Sequence, residues 1–265
     1  MTSHSSAREF TPDSRLVRKL HPSPNINERR DNLKPETLIL HYTGLPTVER
    51  SIAVLADPIC QVSCHYVIDE LGTITQMVAE AMRAWHAGVS SWKGITDINS
   101  WSIGIEIQNP GHELGYPDFP DDQMASVIAL SKDIIERNGI PAAHVLAHSD
   151  IAPLRKIDPG EKFPWSELAA NGVGHWIQPT PIASKDNWLQ HDVTDASVPN
   201  FQARLQKYGY GCPQTGALDD ETKKFIAAFQ RHFRPELVSG ILDRSTIQTL
   251  DNLINTLPET ERDTK

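Results

Sequence analysis

Eleven histidines stand in this chain of 265 residues, and six of them fall between His41 and His148. Imidazole is the commonest metal ligand among the side chains and the one that titrates near neutral pH. A catalytic zinc takes three protein ligands from His, Asp, Glu or Cys and keeps one position for water. Such ligands belong at strand ends and in the adjoining loops, where side chains from separate segments converge. His41 closes an apolar run, and His148 lies near the end of another. Asp158 follows in Lys-Ile-Asp-Pro-Gly, where Pro159-Gly160 turns the chain. Each also has a plainer reading: a satisfied core histidine, a local cap, a turn opener.

The segments that would position these residues are legible from periodicity. Thr37–Thr43 is a short β-branched run and reads as a buried strand. Thr47–Asp57 opens with a capping Thr and repeats Val48, Ile52 and Leu55 at helical spacing. Val62–Asp69 and Thr73–Val78 flank Glu70-Leu71-Gly72 as a hairpin, and Ala84–Gly94 reads as a loop. In Ser102–Asn109, Ile103, Ile105 and Ile107 alternate with Gly104, Glu106 and Gln108, so the isoleucines face a core and Glu106 faces the other way. Met124, Val127, Ile128, Ile134 and Ile135 then form a helical stripe, with Asp121 or Asp122 as its cap and Gly139 as its end. His144–Ile151 reads as a further strand and Ala152–Trp165 as a loop. The order implies an α/β fold, a sheet layered with helices.

Residues 1–32 are polar and read as an N-terminal arm, wrapped on the domain or loose. Residues 176–197 are polar and Pro-containing and read as a linker. Residues 198–260 carry three helical patterns, marked by Phe201, Leu205 and Tyr208, by Phe225, Phe229 and Phe233, and by Ile247, Leu250 and Ile254. The last two share a start signal, a Gly turn and then an Asp cap: Gly216 before Asp219, Gly240 before Asp243. A small all-α C-terminal domain follows from this.

The balance of 25 basic and 34 acidic residues gives −9 and argues against a nucleic-acid partner. No run of apolar residues is long enough to span a membrane, and the first residues hold no recognisable secretory signal. Cys60, Cys64 and Cys212 cannot all pair and read as small apolar filler.

Taken together, Leu-Ile-Leu-His-Tyr-Thr, Val-Ser-Cys-His-Tyr-Val-Ile-Asp, Ala-Trp-His-Ala-Gly, Ser-Ile-Gly-Ile-Glu-Ile-Gln-Asn-Pro-Gly and Ala-His-Ser-Asp-Ile-Ala-Pro-Leu-Arg-Lys-Ile-Asp-Pro-Gly come in the order seen in another group of proteins. From Leu38 to Trp165 the chain resembles the zinc-dependent N-acetylmuramoyl-L-alanine amidases of type 2. That resemblance implies a mixed β-sheet flanked by helices, a fold shared with peptidoglycan recognition proteins, and one zinc ion per chain. It makes His41, His148 and Asp158 the metal ligands. It gives Glu106 the role of catalytic acid and base and Lys156 that of holding the oxyanion. Trp85 and His86 match a loop bordering the groove and are expected to contact substrate, as is Asn109; Arg155 and His144 receive no role. The C-terminal helices resemble the three-helix peptidoglycan-binding domain.

The expected activity is zinc-dependent hydrolysis of the amide between N-acetylmuramic acid and L-alanine, in peptidoglycan or in anhydro-muropeptides. The alternative is a recognition protein that grips a muropeptide without cutting it. Place of action is expected in the cell envelope or periplasm, because a wall-binding domain is appended, with the cytoplasm as the alternative.

Overall fold

The computed structural model describes residues 10–182 and 197–259. The expected linker therefore lies partly outside the described residues. In chain order the strands and α-helices are β1 (Lys19–Leu20), β2 (Ile26–Glu28), β3 (Thr37–Tyr42), α1 (Val48–Ala56), β4 (Tyr66–Ile68), β5 (Ile74–Gln76), β6 (Met82–Ala84), α2 (Ile98–Trp101), β7 (Ser102–Ile107), α3 (Asp121–Asn138), β8 (Val145–Ala147), α4 (His148–Ile151), α5 (Trp165–Ala170), α6 (Ser197–Tyr208), α7 (Asp220–Phe233) and α8 (Arg244–Asn255).

Six strands form one sheet in the order β1-β5-β4-β7-β3-β8. The pairs β3–β7, β3–β8 and β4–β7 are parallel and β4–β5 is antiparallel, so the sheet is mixed as expected. Ile103, Ile105 and Ile107 are fully buried and share a core with Met124, Val127, Leu130 and Ile134 of α3. Burying each such side chain contributes about 1.5–3 kcal/mol. This apolar face forces Ser102, Gly104 and Glu106 of β7 onto the opposite face, along with Ile39 and His41 of β3.

Several local readings change. Helix α3 is capped by Pro120 with no side-chain bond; Asp121 and Asp122 instead sit in its first turn, where they complement the helix dipole. The strand expected through Ile151 ends at Ala147, and the chain turns into the one-turn helix α4. The short strands β1, β2 and β6 and the helices α2 and α5 are too brief to show a period. Cys64 and Cys212 are buried, but Cys60 is exposed and fills no core.

The arm is wrapped rather than loose over its described part. β1 extends the sheet beside β5, and β2 pairs with β6. Arg29 is buried, and its guanidinium donates to the carbonyls of Glu80, Ser100 and Ser102 at 2.8–3.0 Å. Such a charge is tolerated in a core because the carbonyls replace its lost water.

The three C-terminal helices form as read. Asp219 and Asp243 cap α7 and α8 by accepting from the amides of Thr222 and Thr246, each at 2.7 Å. One hydrophobic cluster runs through both parts of the chain, joining Ile39, Trp92, Ile98 and Leu146 to Phe201, Tyr210, Phe229 and Leu250.

Candidate functional site

Three acceptor atoms converge at the C-terminal end of β3. His41 Nδ1 lies 2.9 Å from His148 Nδ1 and 3.2 Å from Asp158 Oδ2, and His148 Nδ1 lies 3.0 Å from the same oxygen. His41 is delivered by the strand, His148 by the first residue of α4 and Asp158 by the following loop. The backbone amide of Ser149 donates to the Asp158 carbonyl at 3.0 Å and ties that loop to α4.

Outer hydrogen bonds fix which ring nitrogens carry protons. The Ser102 hydroxyl donates to the Ile98 carbonyl at 2.6 Å, so it accepts from His86 Nε2 at 3.2 Å. His86 Nδ1 is then an acceptor, and it receives the His41 Nε2 proton at 3.0 Å. His148 Nε2 donates to the Ala87 carbonyl at 3.2 Å. Both Nδ1 atoms are thereby left as bare lone pairs, facing each other and a carboxylate oxygen. Three converging acceptors repel unless a cation lies among them. A tetrahedral zinc with bonds of about 2.0–2.2 Å holds its ligand atoms roughly 3.3 Å apart, close to the spacing found. The donor set fits that ion, and outer partners of this kind orient metal-bound histidines.

Electrostatics set the charge state of His41 and Asp158. Burial, aided by the neighbouring His148, lowers the His41 imidazole to about 4. Burial drives His86 well below the ordinary histidine value, with His41 adding to it. Burial alone would push the Asp158 carboxyl up, but His148 and His41 beside it hold it far below the usual carboxylate range. His41 and His86 are neutral and Asp158 is ionised.

Glu106 is the register partner of His41. Its Oε2 is buried without a hydrogen-bond partner. Burial raises its carboxyl well above the ordinary value and the Asp158 charge adds to this, against the opposing pull of Lys156. Glu106, His148, Lys156 and Asp158 line a cleft of about 480 Å³ together with Trp85, His86 and His112.

Gly104 explains how His86 fits. A Cβ at position 104 would stand 2.6 Å from the His86 ring. The bare backbone of β7 is therefore the floor on which that ring lies. The loop carrying it is held from behind by Asn99, whose Oδ1 accepts from the amides of His86 and Ala87 at 3.0 and 2.8 Å.

The expected substrate contacts are placed differently from one another. Trp85 is half-buried on the cleft wall, with Nε1 donating to Asn27 Oδ1 at 2.7 Å. His86 borders the cleft, but protein groups engage both of its ring nitrogens. Asn109 is buried, and its amide closes the following loop by donating to the Pro117 carbonyl at 3.0 Å and accepting from Gly111 N at 2.9 Å.

Residues with no sequence signal join the site. Arg155 donates to the carbonyls of Ala87 and Val89, so it braces the same carbonyl that orients His148. His112 lines the cleft and meets Tyr42 Oη at 3.1 Å and Glu161 at 3.1 Å. His144 is buried with Nδ1 2.9 Å from the Glu36 carbonyl, away from the cleft lining.

The N-acetylmuramoyl-L-alanine amidase family model matches residues 31–161, and a peptidoglycan binding domain model matches residues 194–250. The chain is 38% identical over 226 residues to N-acetylmuramoyl-L-alanine amidase AmiD of Escherichia coli (strain K12), covering 80% of this chain and 79% of that one. The chain belongs to the N-acetylmuramoyl-L-alanine amidase family. The 1,6-anhydro-N-acetylmuramyl-L-alanine amidase AmpD of the same strain is 35% identical, over 56% of this chain and 87% of its own. Among solved structures, the complex of the E. coli amidase AmiD with anhydro-N-acetylmuramic acid-L-Ala-D-gamma-Glu-L-Lys superposes with a TM-score of 0.72, at 36% identity over 86% of this chain and 92% of that one. AmpDh3 from Pseudomonas aeruginosa, in complex with anhydromuramic pentapeptide, gives 0.70 at 30% identity over 92% and 97%. Of the two activities expected from sequence, this family membership supports the amidase over the recognition protein. The mixed sheet with its flanking helices is likewise the architecture of these relatives. Among the described residues, no helix is long and apolar enough to cross a membrane.

Proposed function

We propose that this amidase holds one zinc ion on His41, His148 and Asp158 and hydrolyses the amide between the lactyl group of N-acetylmuramic acid and L-alanine. The substrates are peptidoglycan and anhydro-muropeptides, the latter being what the solved relatives hold. The observation that carries this reading is the convergence of two unprotonated imidazole nitrogens and one carboxylate oxygen beside a buried carboxyl group. When bound, zinc lowers the pKa of a water toward about 7 and polarises the scissile carbonyl.

The chain's own residues do the rest. Glu106 Oε2 takes the proton from the attacking water and delivers it to the amide nitrogen as the C–N bond breaks. The products are a free lactyl carboxylate and the amino terminus of L-alanine. Its raised carboxyl suits both halves of that task. The Lys156 ammonium, on the cleft wall, supplies positive charge where the carbonyl oxygen becomes negative. His86 and Arg155 keep the ligand histidines oriented. Trp85 offers a ring face to the sugar or the stem. The appended domain favours polymeric wall material and supports action in the cell envelope over the cytoplasm.

Digesting a defined muropeptide with and without a chelator tests this. Mass spectrometry should show free stem peptide and the muramic acid product, loss of both on chelation and recovery with zinc. Products cut elsewhere, or turnover indifferent to the chelator, would overturn the reading.

A further inference from the structure

The turn that presents His148 is finished by the other domain. Asp150 follows His148 in α4 and is fully buried. Its Oδ2 accepts from Ala147 N at 2.8 Å, which closes the turn onto the end of β8. Its remaining partners come from the C-terminal domain: Tyr210 Oη, just past α6, donates to Oδ1 at 2.6 Å, and His232 Nδ1 of α7 donates to Oδ2 at 2.7 Å. A buried carboxylate stays in place only while such donors replace its water.

Both donors are themselves held. His232 stacks on Trp165, with ring centroids 3.7 Å apart and an interplanar angle of 22°. Tyr210 packs edge-on against Trp92 at 4.9 Å, and the two residues form a backbone bridge. Gly209 lets Trp92 lie directly over the backbone, where a Cβ would collide with the ring. A backbone bond crosses between the domains at the same place, from Lys93 N to the Gly209 carbonyl at 2.7 Å, and Ser91 N beside it donates to the Ile151 carbonyl of α4 at 2.8 Å.

We propose that Tyr210 and His232 are positioning residues of the metal centre. They act through Asp150 on the turn that aims His148 Nδ1. The C-terminal domain then has a second task besides any contact with the wall: it completes the support of the zinc ligands. This rests on the reading of His148 as a ligand.

The test uses the full chain. Zinc affinity is measured by competition with a chromophoric chelator for the wild type and for Tyr210→Phe, His232→Gln and their double variant. Near-ultraviolet circular dichroism and thermal melting of the metal-free proteins are recorded alongside. The double variant should bind zinc about tenfold or more weakly at temperatures well below its melting point, the range found when outer partners of metal ligands are removed. Tyr210→Phe removes a single hydroxyl, keeps the ring packing and should show part of the same loss, so it decides the matter should the double variant not fold. A lower melting point with wild-type zinc affinity would overturn the proposal alone. A wild type that binds no zinc, or His148→Ala that binds it as tightly, would overturn the ligand reading and this proposal with it.

Discussion

His41 and Glu106 are register partners on adjacent parallel strands, and their side chains leave the sheet on the same face. Neighbouring strands lie about 4.8 Å apart, so the proposed metal ligand and the proposed proton-transfer group are set side by side by backbone hydrogen bonds alone. Replacing Glu106 with Gln keeps the shape and removes the base. Turnover should fall about 10²–10⁴-fold while zinc content, read by elemental analysis, stays stoichiometric. Turnover near the wild-type rate in that variant would remove Glu106 from the reaction.

The hydrogen-bond chain from Ser102 through His86 to His41 makes a second, separable prediction. His86→Ala should weaken zinc binding about 10–100-fold. His86→Gln, whose amide can accept at one end and donate at the other, should recover part of that loss. Competition titration with a chelator reads both, and equal affinities across the three proteins would rule out an orienting role.

Acid should destabilise the metal-free protein well before its carboxylates titrate. Burial lowers His41 to about 4 and His65 to about 3, against about 6.5 in the unfolded chain. Between those limits the unfolded state takes up a proton that the native state refuses, so native stability is full above about pH 6.5 and is lost as pH falls. Each such group costs about 1.4 kcal/mol per pH unit in that window. Denaturant midpoints measured from pH 7.5 to 5 in the presence of chelator should fall steadily; a flat profile would contradict the buried neutral state.

The two Asp caps of the C-terminal domain share a sequence signature but not an environment. Asp219 is half-buried, and Asp219→Ala should cost about 1 kcal/mol, the worth of a helix cap. Asp243 is buried and also pairs with the buried Arg234 at 2.9 Å. Removing it strands that guanidinium, so Asp243→Ala should cost about 3–5 kcal/mol. Urea unfolding of the two variants orders them, and equal losses would show that the ion pair contributes nothing.

Elements whose period is long enough to repeat were readable from the residues alone. β3, β7 and α3 carry uninterrupted apolar patterns, and the turns before α7 and α8 announce their caps. The strand expected through Ile151 failed because Asp150 bends the chain by accepting the Ala147 amide, a local bond that outweighs the apolar run. The supporting contacts left no local trace, although the Ala-Trp-His-Ala-Gly match had already set His86 at the groove. His86 reaches His41 from 45 positions away in sequence, Arg155 reaches the Ala87 carbonyl from 68, and His232 reaches Asp150 from 82. His41, His148 and Asp158 became a candidate metal site only when the matched motifs were taken together, since each member alone fits a core or turn role.

Gly104 touches no ligand and donates no side-chain group, yet the orientation of His41 depends on the volume it leaves empty. In a systematic replacement of β7, position 104 should therefore behave like a member of the metal centre. Even alanine, the smallest change available, would lift the His86 ring off the sheet and disturb its bond to His41. Sensitivity at this position measures a shape that must stay vacant, which a survey restricted to reactive side chains would pass over.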